Sequence, residues 1–175
     1  MKQDIDMEIL TPILPAVLVL ITAYFLLDKL LKNDEKRRNY EIRKSNATAI
    51  TPIRLRAYER LMLVLERTTP ATLIVSVAKP GMTNMELHTQ LLASIRQEFS
   101  HNLSQQIYIS DEAWTYVRSA QESLLRLVNS SASKCNPNES ASELAELIIQ
   151  LYGNSEETPT EMAIAKLKAE VRQYF

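Results

Sequence analysis

Apolar and polar positions are arranged in three ways along this chain. Residues 9–27, ILTPILPAVLVLITAYFLL, carry no charge and show no polar side. Residues 28–44, DKLLKNDEKRRNYEIRK, are dominated by charge, and from residue 51 onward apolar residues recur every three or four positions, the spacing of an amphipathic helix. At ~1.5 Å per residue the first run would span about 28 Å as a helix, close to the ~30 Å hydrocarbon thickness of a bilayer. A helix in a soluble core does not need to be apolar all round, so the run reads as a transmembrane helix. Pro12 and Pro15 fall in its first turns, where a missing amide donor costs least, and Tyr24 lies near its far end.

A cleavable signal fits poorly. MKQDIDME sets Asp4, Asp6 and Glu8 against Lys2, and no small-x-small cleavage site follows the run. The basic residues lie behind it instead: Lys29, Lys32, Lys36, Arg37, Arg38, Arg43 and Lys44 give residues 28–46 a local excess of positive charge over Asp28, Asp34, Glu35 and Glu41. By the positive-inside rule the amino terminus is then outside and the remainder cytoplasmic. Residues 28–46 read as a charged stalk, helical to about Lys44, where the short linker SNATAI begins. Interleaved acids favour a solvated helix over an anionic-lipid surface. Its charge pattern is compatible with a homo-oligomer, but its apolar heptad is too poor to predict a coiled coil.

Cap residues mark the later helices. Thr51-Pro52 reads as a start before Leu55, Tyr58, Met62 and Leu65. Thr83 with Glu86 is a capping box ahead of His88, Leu91, Leu92, Ile95 and Phe99. Ser110, followed by Asp111 and Glu112, begins a helix whose stripe is Trp114, Val117, Leu124, Leu125 and Val128. Ser140 with Glu143 reads as a second box, the helix behind it stopping at Gly153, and Thr158 with Glu161 as a third. ATLIVSVA at 71–78 has strand-like composition but no strand to pair with, so a short buried helix from Thr69-Pro70 is expected. The expected fold is all-α: an acidic tail at 1–8, a single transmembrane helix at 9–27, the stalk at 28–46, and a bundle of about five or six amphipathic helices at 47–175.

The segments YERLMLVLERTTP, GMTNMEL and EFSHNLSQQIYISDEAWTYV resemble an uncharacterised family of small single-pass membrane-anchored proteins from Bacteroidota. The resemblance covers nearly the whole chain. It implies a bacterial inner membrane and a cytoplasmic helical domain, and brings no activity or site residues with it.

Composition narrows the chemistry. Twenty basic residues balance 21 acidic ones, and the part after residue 46 is slightly acidic, so nucleic acid is not an expected partner. The two glycines rule against a glycine-rich phosphate loop. His88 and His101 are thirteen positions apart and Cys135 is the lone cysteine, so neither a metal nor another cofactor is expected. His101, Ser104, Tyr108, Asp111 and Glu112 hold the ingredients of a nucleophile, a base and an orienting acid, but no glycine turn presents the serine. Arg56, Arg60 and Arg67 share one face of the first domain helix and could meet an acidic partner. The leading expectation is a helical domain, anchored in the bilayer through residues 9–27, that binds or positions a partner protein as an accessory subunit, assembly factor or scaffold. The alternatives are a membrane-tethered enzyme using the His101–Glu112 cluster, and lipid binding through the stalk.

Overall fold

A computed structural model describes residues 2–154 and 156–174, with side chains placed for 17–45, 48–154 and 156–173. The element order is α1 (Lys2–Arg67), α2 (Pro70–Val77), α3 (Asn84–His101), the 3-10 helix η1 (Leu103–Tyr108), α4 (Asp111–Ala132), α5 (Ala141–Gly153) and α6 (Pro159–Tyr174). Thus the chain is all-α over the described residues. It divides into two units, 1–50 and 51–175, and the division falls inside α1.

In the first unit the helix is held by local terms. Lys32 pairs with Asp28 at 2.7 Å and Arg37 with Glu41 at 3.3 Å, each four residues apart. Thr22 and Thr48 return their hydroxyls to the carbonyls of Leu18 and Lys44. The charged stretch is a helix, as expected, but SNATAI is helical too rather than a linker, and Thr51 does not cap a new helix. Pro52 therefore stands within α1. Lacking an amide hydrogen, it leaves the Thr48 carbonyl without its usual donor, and the boundary between the units lies immediately before Thr51.

Among the described residues no helix is long and apolar enough to cross a membrane. This overturns the transmembrane helix expected at 9–27, and with it the single-pass topology and the inner-membrane location with its outside amino terminus. The earlier part of the run, 9–16, lies outside the residues whose side chains are described.

The second unit has its own core. One side of α1 brings in Ala57, Tyr58, Leu61, Val64 and Leu65; α3 adds Leu87, Leu91, Ile95 and Phe99; α4 adds Ala113, Val117, Ala120, Leu124 and Val128. Leu144 and Ile148 of α5 and Ala163 and Leu167 of α6 close it. Leu55, Met62, Trp114 and Leu125, placed on the buried stripes from spacing, are only half-buried. The 71–78 segment is the helix α2, burying Leu73 and Ile74. A helix meets its backbone donors and acceptors internally, which a lone strand cannot do.

Two of the three capping boxes form. Thr83 accepts from the Glu86 amide while Glu86 reaches back to the Thr83 amide, and Thr158 and Glu161 repeat the exchange. The box at Ser140 does not close: Ser140 accepts from Ser142, and Glu143 is drawn away to Asn84. Gly153 is the last residue of α5, with Asn154 at the cap. Positive φ is found at Gly81 alone among the described glycines, at +80°, where the chain turns from α2 toward α3.

Candidate functional site

Two polar joints hold the second unit together. In the first, the amino ends of α3 and α5 meet side by side. Asn84 donates its amide hydrogen to the Glu139 carbonyl at 2.8 Å, and Ala141 donates to the Met82 carbonyl at 3.0 Å. The buried Asn84 side chain then fills the gap: Nδ2 donates to the Asn136 carbonyl at 2.8 Å and to Glu143 Oε2 at 2.9 Å, and Oδ1 accepts from the Leu144 amide at 3.2 Å. Every polar atom of that side chain is used.

The second joint is a buried carboxylate. Glu170 of α6 accepts from the Tyr58 hydroxyl of α1 at 3.0 Å and from the hydroxyl of Ser110, which caps α4 and itself accepts from the Ala113 amide. Two hydroxyl donors compensate the carboxylate for lost water. Beside it Lys166 meets Glu112 at 2.6 Å, and that bond, before any other influence, raises the lysine above its ordinary range. Arg54 donates from Nε to the Tyr108 carbonyl at 3.0 Å. The joint ties three helices, and its hydroxyls are committed to Glu170 or to the cap.

The residues proposed from sequence for catalysis do not converge. His101 is exposed in the last turn of α3, Ser104 is exposed in η1, and Asp111 and Glu112 are exposed in the first turn of α4. Ser104 accepts from Gln105, Tyr108 offers its carbonyl to Arg54, and Glu112 pairs with Lys166. Among the described residues no hydrogen bond links His101, Ser104, Asp111 and Glu112 to one another. Ser110, between them, is the residue with a buried partner, and Glu170 and Tyr58 were missed as that partner. A signal existed in the sequence: Glu170 follows Ala163 and Leu167 at helical spacing, a carboxylate where the stripe calls for an apolar side chain.

His88 is half-buried, with Nε2 2.9 Å from Asn129 Oδ1. It flanks a groove of about 300 Å³ with Met85, Asn129, Ala132 and Pro137. Burial pushes the Cys135 thiol up, ahead of Glu143 and Glu139, so it is a poor nucleophile near neutral pH. Among the described residues no group of three His, Cys, Asp or Glu side chains is placed to hold a metal ion.

Surface chemistry is more pronounced. Opposite the buried side of α1 in the second unit, Arg56, Arg60, Leu63 and Arg67 lie at intervals of four, three and four residues, and all are exposed. Leu63 retains 52% of its surface in water. No carboxylate among the described residues lies within ion-pair distance of the three guanidinium groups, although Glu59 and Glu66 stand along one edge. In the first unit, Val17–Leu31 also exposes large apolar side chains, but these occupy every side of the helix and select no particular neighbour.

A family model described as a family of unknown function (DUF7935) matches residues 4–174. No curated protein and no solved structure matches the chain.

Proposed function

From the premise that the chain belongs to the DUF7935 family, a family of unknown function, we propose that its helical unit is a protein-binding domain whose contact surface is the Arg56, Arg60 and Arg67 face of α1. The observation that carries the reading is the composition of that face: three exposed guanidinium groups around an exposed leucine, without an ion-pair partner among the described residues. Arginine is enriched at protein interfaces, and the exposed leucine beside it offers apolar surface that a partner can bury. The buried polar groups serve the fold, whereas nothing in the fold requires these arginines. An accessory or scaffolding protein needs such a face and no reacting pocket.

The test is capture with the tagged full chain, in parallel with a variant carrying Arg56→Glu, Arg60→Glu and Arg67→Glu. All three positions are exposed, so each change alone is expected to alter stability by no more than about 0.5 kcal/mol. A protein retained by the native chain and lost by the variant, with an unchanged thermal transition, is the expected outcome. Identical captured sets would overturn the reading.

A further inference from the structure

Within the second unit one other face complements the arginines. The exposed side of α5 carries Glu143, Glu146, Ile149 and Gln150, with Glu139 just ahead of the helix. Glu143 Oε2 accepts from Asn84, and no cation among the described residues lies within ion-pair distance of Glu146. Ile149 leaves 48% of its surface in water, much as Leu63 does. Each face is thus one exposed aliphatic side chain set among charges of mainly one sign, and the two signs are opposite.

We propose that the arginine face of α1 in one copy of this chain docks on the acidic face of α5 in a second copy, with Leu63 against Ile149 and Arg60 against Glu146. Spacing supports the register. Arg60 precedes Leu63 by three residues and Glu146 precedes Ile149 by three, so two helices lying parallel satisfy both pairs at once. The same register brings Arg56 to Ser142 and Glu143. Charge selects the pairing of unlike faces: α1 against α1 would set arginine on arginine, and α5 against α5 would set glutamate on glutamate. Glu59 and Glu66 then lie at the rim. Exposed ion pairs add little affinity singly, so the charges set partner and register while the aliphatic pair is buried between them.

This pairing rests on the arginine face being a protein-binding surface and names its partner. It is tested in the full chain with two pools, Leu63→Cys and Ile149→Cys, each carrying Cys135→Ser and a tag of different size, mixed under mild oxidation. The mixed disulfide is expected to exceed either same-site disulfide by roughly tenfold. Adding Arg60→Glu to the first pool removes that excess, and adding Glu146→Arg to the second restores it. Equal yields of the three disulfides, or an excess indifferent to Arg60→Glu, would overturn the proposal. If no mixed disulfide forms while the triple arginine variant still loses a different captured protein, the pairing between copies fails and the binding face stands.

Discussion

Asn84 shows how much one side chain can decide. It begins α3 on the same stripe as Leu87, Leu91 and Ile95, so the helical period alone would assign that position an apolar residue. A polar residue persists there because two helix ends and a loop leave backbone groups that need partners. Asn84→Ala removes both amide donors and leaves the Leu144 amide unanswered. It is expected to cost about 2–4 kcal/mol in denaturant unfolding. Asn84→Asp tests the chemistry more narrowly, since a carboxylate facing Glu143 replaces a donor with a repelling acceptor. Its deficit should be at least that of alanine at neutral pH and should shrink on acidification, as the carboxylates protonate. A deficit independent of pH would mean that shape, not charge, matters at this position.

At the scale of elements, the capping boxes were legible because both partners lie within four consecutive residues. Glu86 and Glu161 are held below the ordinary carboxylate value of 4.5, first by the backbone amides of Thr83 and Thr158 and then by the same threonines' hydroxyls. A folded-state pKa depressed in this way gives stability that is complete above the unfolded value and lost as the pH falls through the folded one. The native chain should therefore lose thermal stability on acidification below 4.5 more steeply than a variant carrying Glu86→Gln and Glu161→Gln. Calorimetry between about pH 3 and 6 compares the two, and parallel curves would refute the assignment. The box at Ser140 had the same local pattern and failed to close, because Asn84, 59 residues away in sequence, engages Glu143. Nor could cap spelling end α1 at Thr51-Pro52. The helix continues through the proline despite the lost hydrogen bond.

At the scale of the whole molecule, two units share one long helix, and their cohesion has different origins. The unit at 51–175 has a multi-helix core, whereas unit 1 is described entirely as helix, with exposed side chains wherever they are placed beyond Asp28. Helical hydrogen bonds without tertiary packing open more readily. Limited proteolysis is accordingly expected to cut first before Thr51 and to release a fragment close to 51–175 that retains the cooperative thermal transition of the full chain. First cuts within α3, α4 or α6, or a fragment without a transition, would contradict the division.

The sequence by itself determined the helical class, the starts of α2, α3, α4 and α6, and the charged helix at 28–44, because periodicity, caps and pairs four residues apart all act within a few turns. It also exposed the face of Arg56, Arg60 and Arg67, a property of one helix. Only the tertiary structure decided that Tyr58 and Ser110 meet Glu170, with Tyr58 and Glu170 separated by 112 residues, and that His101 stays apart from Asp111 and Glu112. The apolar run marks the same limit: read alone it called for a membrane, while among the described residues no helix is long and apolar enough to cross one. Local patterns specify how a segment coils. What a buried carboxylate or an exposed arginine meets depends on elements far along the chain, and no period in the sequence encodes that distance.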